Sequence, residues 1–379
     1  MKQSTLKLTA LAMLLGGVMS ANAQTADPIN VVTTAVPFLR ISPDARAGGM
    51  GDAGIATAPD ANASFWNLGK TVFAKNTSSV ALTYTPWLKD LGLNDVYLAT
   101  MGGYYKLDDQ QAISLGLRYF SLGSIQFTDA SGTPLNSGRP REFSIDLGYS
   151  RKLSAKSGVG IALRYISSDL ANGASSGGTT YKKGSSVAGD LHYFHNGAKA
   201  NGAGFNWGVT LSNLGAKISY TNDANQKDYI PANFGLGGAY TKVFDQDNKL
   251  TFALDINKLL VPTPADISDS AGLADYRSKG VVGSWFSSFG DAPGGFSEEL
   301  KELSYSLGAE YTYKDQFSFR AGYFYENPTK GNRKYFSVGA GLNYNVFGLN
   351  FAYLLPSGSG TNRNPLSNTL RFSLVFNVK

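Results

Sequence analysis

From about residue 78 onward the chain alternates apolar and polar residues with a period of two. Phe143, Ile145, Leu147 and Tyr149 alternate with Ser144, Asp146, Gly148 and Ser150, and Val159, Ile161, Leu163 and Tyr165 with Gly160, Ala162 and Arg164. The last segment places Leu370, Phe372, Leu374, Phe376 and Val378 on one face and Arg371, Ser373, Val375 and Asn377 on the other. A side chain on a strand points to opposite faces in turn, so this pattern predicts strands with one apolar and one small or charged face. Fourteen such strands are predicted, near 78–87, 95–106, 111–128, 141–153, 157–169, 185–195, 204–220, 231–244, 249–258, 302–313, 316–326, 334–345, 348–356 and 368–379.

The links between them alternate in length. Leu107–Gln110, Ser154–Lys156, Asp245–Asn248, Lys314–Asp315 and Val346–Phe347 are tight, and His195–Gly204 is longer but rich in Gly and Asn. Thr128–Arg141, Asp169–Ser185, Tyr220–Pro231, Lys258–Glu302 and Pro356–Ser367 are long. Short turns on one side, long loops on the other and an even strand count match an outer-membrane barrel, whose apolar face meets lipid and whose polar face meets the lumen. A soluble β-sandwich has no reason for that polarity. The fold class is therefore an all-β membrane protein, a closed antiparallel barrel of about 14 strands, with both termini expected on the periplasmic side.

Residues 24–77 do not alternate and are rich in Ala, Gly and Pro. Their content of Phe38, Leu39, Ile41, Phe65, Trp66 and Phe73 is too apolar for a disordered tail. A plug in the periplasmic half of the lumen is the expectation. Ahead of it, Lys2 and Lys7, the apolar run Leu8–Val18 and Ala21-Asn22-Ala23 read as a signal peptide over 1–23. The organisation is thus signal peptide 1–23, plug segment 24–77, and barrel 78–379 with a long extracellular loop at 258–302.

Composition narrows the class further. The chain has 22 Phe, 21 Tyr and 44 Gly, with only 16% charged residues, as in barrels with aromatic belts. No run after Val18 is long and apolar enough for a membrane helix. The net charge of +6 includes Lys2 and Lys7, and no basic run accompanies it, so nucleic acid is not an expected partner. There is no Cys, which removes disulfides and thiolate metal sites.

Candidate chemistry is sparse. Gly49-Met50-Gly51-Asp52-Ala53-Gly54 matches G-x-G-x-x-G, but no strand leads into it and no amphipathic helix leaves it, so a compact Gly turn is the reading. His192 and His195 are the two histidines; His192 shares the lumen face with Asp190, and neither the H-E-x-x-H motif nor a serine-hydrolase signature is present. No catalytic, cofactor or metal residues are assigned, and the chain is expected not to be an enzyme. Arg118, Asp146, Arg164, Asp190, Asp255, Glu310, Arg320 and Arg371 all fall on the polar face. They read either as a selectivity lining or as a mixed-sign ion-pair network filling the lumen, and mixed signs favour the network. In the long loop, Val281, Val282, Trp285, Phe286 and Phe289 lie on one face of a short helix, stopped by Gly290 and Pro293, and Ser297-Glu298-Glu299 reads as a second helix start. That face either caps the barrel or grips a partner or lipid.

The mature N-terminus is more specific. Pro37-Phe38-Leu39-Arg40-Ile41-Ser42-Pro43-Asp44-Ala45-Arg46-Ala47-Gly48-Gly49-Met50-Gly51-Asp52-Ala53-Gly54, followed by Asp60-Ala61-Asn62-Ala63-Ser64-Phe65-Trp66-Asn67, resembles the PorV family. These are fourteen-stranded relatives of the FadL fatty-acid transporters found in Bacteroidetes. Leu68-Gly69 departs from the Pro-Ala usual in the family after Trp-Asn. The resemblance implies a component of the type IX secretion system, without catalytic residues or cofactor. Its implied partners are outer-membrane lipid, the translocon barrel, the C-terminal signal domains of secreted cargo and a sortase-like attachment complex. The implied mechanism is capture of cargo by extracellular loops and its transfer from translocon to attachment complex. A FadL-type transporter of hydrophobic molecules is the alternative, and it requires an apolar pocket running from the loops into the barrel. An outer-membrane hydrolase would require a serine and a base within hydrogen-bond reach.

Overall fold

Fourteen antiparallel strands close on themselves in a computed structural model of the chain. The structure describes residues 30–378 apart from 129–130, 172, 177–178, 224–225, 265–269, 356–365 and 367. The expected signal peptide lies outside the described residues. The barrel strands are β1 (Ser78–Pro86), β2 (Val96–Lys106), β3 (Gln111–Leu122), β4 (Arg141–Lys152), β5 (Ser157–Asp169), β6 (Gly184–His195) and β7 (Gly204–Gly215). They continue as β8 (Asn233–Val243), β9 (Asn248–Leu259), β10 (Ser304–Tyr313), β11 (Phe317–Tyr325), β12 (Lys334–Tyr344), β13 (Phe347–Leu354) and β14 (Leu370–Val378). Each pairs with its sequence neighbour, and β14 returns to β1 in the register Ser78↔Val378 to Tyr84↔Phe372. Closure leaves no strand edge with unpaired backbone groups, which a bilayer requires.

The alternation holds in three dimensions. Leu163 and Leu147 are 68% and 64% exposed, while Arg164 and Asp146 beside them are buried. In water such an outer face would be unfavourable; against lipid it is the stable arrangement. Aromatic rings ring the wall at both ends, with Tyr84, Tyr97 and Tyr119 in a ladder on the long-loop side and Tyr193–Trp207 and Phe347–Phe376 on the short-turn side. Rings of this kind sit at the two membrane–water interfaces.

The tight turns follow from local chemistry. Asp108 Oδ1 accepts the N–H groups of Gln110 and Gln111, and Asp245 Oδ1 those of Asp247 and Asn248. Lys314 and Asp315 both adopt φ 54°, the two-residue turn geometry that matches strand twist. Two strands are shorter than the alternation predicts. β3 ends at Leu122 because Gly123 turns left-handed at φ 80°, and Ile125–Thr128 pairs instead with Pro134–Gly138 in a hairpin of its own. β7 ends at Gly215, and residues 216–220 leave the ladder.

The segment 30–77 packs against inward-facing barrel residues as short helical pieces: a 3-10 turn at Pro37–Arg40, α1 (Ala45–Gly48), α2 (Ala63–Trp66) and a second 3-10 turn at Leu68–Phe73. Its path corrects the expectation of a plug confined to the periplasmic half. At the long-loop mouth the Asn30 N–H donates to the Thr329 carbonyl and the Ala35 N–H to that of Tyr229. Val36, Phe38 and Leu39 there form an apolar core with Leu98, Phe120, Ile166, Ile218 and Ile230. At the opposite end Phe73 packs on Phe194, 5.9 Å between ring centroids, next to the turn before β7. The segment therefore runs the full height of the lumen. β1 starts and β14 ends on the short-turn side, as expected of the two ends of the strand series, while residue 30 sits at the long-loop mouth and the residues before it lie outside the described ones.

The G-x-G-x-x-G match is the compact turn expected of it. Gly51 and Asp52 have φ 66° and 63°, and the Gly51 N–H donates to Ser337 Oγ at 2.9 Å. The turn lies so close to β11 that a Cβ at Gly322 would stand 2.0 Å from the Gly51 nitrogen. Only glycine on both sides permits that approach.

Sidedness is directly testable because the chain has no cysteine. Asn222→Cys, on the β7–β8 loop, should react with an impermeant maleimide on intact cells. Ala200→Cys, in the β6–β7 turn, should react only after the outer membrane is permeabilised. The reverse pattern would invert the barrel.

Candidate functional site

The eight polar-face residues divide into two groups. Arg164 forms the first: its guanidinium bonds Asp146 on β4, Asn213 on β7, and Asp190 on β6 through two contacts of 2.9 and 3.3 Å. Asn213 is brought there by a bulge, where the β6–β7 register shifts, Asn213 takes φ 58°, and its N–H donates to Asp190 Oδ1 at 2.7 Å. The rest bind the plug, Arg320 only through Glu310. Asp255 accepts the N–H groups of Gly54 and Ile55 at 2.7 and 2.8 Å. Glu310 is gripped by Arg320 from β11 and by Arg46 from the plug, at 2.6 and 2.8 Å, and Arg46 also holds Asp60. Arg371 bonds Asp52 at 2.9 Å, and Arg118 donates to the Leu39 carbonyl with its guanidinium over the Phe65 ring. The sequence pattern identified these side chains but not their partners on the plug.

His192 is also committed to the plug, its Nδ1 accepting the Leu68 N–H at 2.6 Å. Among the described residues no three His, Cys, Asp or Glu side chains gather as a metal-ligand set. Between the plug and the barrel wall lie two smaller cavities of mixed polar and apolar lining, of about 120 and 270 Å³. Arg118, Asn213 and Ser306 line the first, Val31, Lys330 and Glu302 the second, and Arg40, Asn257 and Arg333 line both. Two larger apolar concavities, of about 790 and 740 Å³, lie on the outer wall among residues such as Leu236, Phe252 and Phe336, or Leu82, Phe319 and Phe351.

The mouth is covered by the long loop, which folds as α3 (Ser270–Ser278), α4 (Val281–Ser287) and α5 (Phe296–Lys301). α3 was not expected from the sequence. The structure corrects the end of the helix predicted from Val281, Val282, Trp285, Phe286 and Phe289, and gives the direction that the sequence left open. The helix stops at Ser287, so Phe289 lies beyond it. The side turned toward the barrel is the polar one, with Ser284 and Ser288 buried and the Ser284 hydroxyl 3.1 Å from that of Tyr229. Val282, Phe286 and Phe289 face away and are 60%, 75% and 51% exposed, whereas Val281 and Trp285 are half-buried.

α5 repeats the inversion. Glu298, Glu299 and Glu302 turn down onto the barrel rim and clamp the lid: Lys258 bonds Glu299 and Glu302 at 2.8 and 2.6 Å, and Lys330 bonds Glu298 and Glu302 at 2.5 and 3.0 Å. Asn30 adds a bond to Glu298 at 3.2 Å. Partial burial alone would raise the Glu298 carboxyl, but hydrogen bonds from Lys330 and the Gly294 N–H hold it below the ordinary range. Burial pushes Asp291, near Glu299 and Glu302, upward. Phe296, 76% exposed, and Leu300 face away. The spacing of Glu298, Glu299 and Glu302 on one helical face, opposed by Lys258 and Lys330, was the available signal for this clamp. The lid is thus inside-out: charge and hydroxyl groups inward, Phe, Val and Leu outward.

Solved structures share this architecture at low identity. The toluene transporter TbuX of Ralstonia pickettii aligns with a TM-score of 0.53 at 11% identity, covering 89% of this chain and 98% of its own. The toluene transporter TodX of Pseudomonas putida aligns at 0.51 and 12%, covering 92% and 98%. A FadL homologue of Pseudomonas aeruginosa gives 0.49 and 12%, covering 92% and 100%. The first two establish a FadL-like barrel and nothing about ligand. No curated protein matches the chain. The sequence itself matches the profile described as type IX secretion system protein PorV over residues 23–266, more than half its length, taking in the plug, β1 to β9 and the start of the lid loop. The chain belongs to the PorV family of type IX secretion system outer-membrane proteins.

Proposed function

We propose that this barrel is a non-enzymatic carrier: it takes the C-terminal signal domain of secreted cargo as it leaves the translocon barrel and delivers it to the sortase-like attachment complex. The observation that carries the reading is the inverted lid over a filled lumen. A barrel whose interior is occupied by an ion-paired segment gains nothing for transport from an apolar face turned outward at its mouth. A docking protein does, because clustered aromatic residues dominate interface energy. The side chains proposed to meet cargo or translocon are those of Val281, Val282, Trp285, Phe286 and Phe289, with Phe296 and Leu300 beside them.

The test is co-purification from detergent-solubilised membranes. Removing one well-packed aromatic anchor costs roughly 2–4 kcal/mol of binding, or roughly 30- to 1,000-fold in affinity. Trp285→Ala with Phe289→Ala should therefore release cargo and translocon while the barrel stays folded and heat-modifiable on gels. Retained partners together with a lowered melting temperature would instead make the lid a seal, and would remove it from the functional site.

A further inference from the structure

We propose that the outward face of α4 is seated in the outer leaflet of the membrane, so that a partner arriving there displaces lipid rather than water. The seat rests on geometry; only the identity of what displaces the lipid depends on the docking role proposed above.

The lid does not simply stand above the mouth. Phe234 and Lys258 face each other across β8 and β9, and both point outward, in line with Leu236, Tyr240, Leu254 and Ile256 on the lipid-facing wall, while Gly235 turns inward onto Ile55. Phe289 packs edge-on to Phe234, 6.0 Å between centroids at 74°. The Lys258 ammonium lies 6.0 Å from the centre of the Phe289 ring, and Lys258 is buried although it points out of the barrel, because Glu299 and Glu302 fold down over it. The lid therefore hangs over the rim between β8 and β9 and covers the last outward position of both strands.

At the same end of the wall the outward side chains include Tyr305 and Tyr325 on the next two strands, paired at 6.3 Å, and, farther round the ring, Phe143 and Tyr165, paired at 6.1 Å. This is the loop-side aromatic girdle, and Phe289 extends it. Phe286 and Val282 carry the apolar surface on from Phe289, while on the other side Ser284 meets the Tyr229 hydroxyl and Ser288 is buried with its hydroxyl on the Trp285 carbonyl. A short helical segment with aromatic and aliphatic side chains on one face and hydroxyl groups on the other, continuous with the girdle, fits the boundary between headgroups and acyl chains.

The consequence for a carrier is reversibility. Burying an apolar face that was in water is strongly favourable and slow to undo. Burying one already solvated by lipid has little hydrophobic drive, so shape and polar contacts decide the fit. A face of that kind binds selectively and still releases.

The test uses the absence of native cysteine. Phe286→Cys and, as a water-exposed reference, Asn222→Cys are spin-labelled, and the full-length barrels are placed in phosphatidylcholine vesicles. Collision with oxygen, which concentrates in lipid, is compared with collision with a water-soluble nickel chelate. The seat predicts that position 286 favours oxygen over nickel and that position 222 shows the reverse. Nickel access at 286 equal to that at 222 overturns the proposal, as does shielding from both reagents, which would mean that a second copy covers the face. If the seat is found but Trp285→Ala with Phe289→Ala leaves co-purification intact, the docking reading fails and the lipid seat stands.

Discussion

Arg164→Ala should lower the melting temperature of the barrel sharply, by an amount corresponding to about 3–5 kcal/mol, the cost of breaking one member out of a buried ionic cluster. Arg164 is 3% exposed and is the shared cation of Asp146 and Asp190, which are equally buried. Removing it leaves two carboxylates in the lumen wall without the cation bonded to both, while the Asn213 N–H still holds Asp190 in place. Thermal unfolding followed by heat-modifiability reads the loss directly. Adding Asp190→Asn to Arg164→Ala should recover part of it, since one fewer uncompensated charge remains. Cargo secretion at low temperature should change less than stability does. Lost secretion in a barrel of unchanged melting temperature would make this cluster a reader of ligand rather than a brace.

Gly322→Ala is the second large expected effect, and it bears on the choice between carrier and transporter. A methyl group at 322 meets the backbone of Gly51 at 2.0 Å, so the plug turn or β11 has to move; overpacking of this sort costs about 1–3 kcal/mol. Gly189→Ala is the control, because a Cβ there meets only the Ala162 carbonyl at 3.7 Å. In planar bilayers the native chain and Gly189→Ala should be nearly silent, and Gly322→Ala should conduct and become sensitive to protease in residues 49–54. Conductance already present in the native chain would favour the transporter. A silent, fully stable Gly322→Ala would contradict the packing of the turn on β11.

What could be read from the sequence and what could not divides along physical lines. Strand count, loop polarity and the inward set from Arg118 to Arg371 were legible because period two on a wall with lipid on one side leaves each side chain one allowed direction. The strand ends at Leu122 and Gly215 were not, because alternation runs on past the point where Gly123 turns left-handed. The plug has no period, so nothing in the order of residues 30–77 announced that Arg46 reaches Glu310 or that Asp52 meets Arg371. In the lid, the spacing from Val281 to Phe289 correctly marked an apolar face. Direction was the missing quantity, since the same spacing serves a buried and an exposed stripe, and the Ser284 hydroxyl that marks the inner side meets Tyr229, far away in the chain.

The path of the plug also constrains how such a chain comes to be assembled. The Ala45 N–H bonds to the Ser373 hydroxyl, and Arg371 to Asp52, joining residues 328 and 319 positions apart. The seam that completes the ring joins β1 to β14, again the two ends of the strand series. Contacts of such long range form late, because the loop they close has to be ordered first. A segment gripped on several sides by β9, β10, β11 and β14 cannot be threaded in once that seam has zipped. Residues 30–77 are therefore the mandrel around which the sheet is wound. Until Arg371 arrives on the last strand, Asp52 waits without its cation, and β1 and β13 are open edges with unpaired backbone groups. A chain halted before residue 370 is then not a smaller pore but an unfinished sheet, and the quality of the final product is decided at its closing strand, Leu370–Val378.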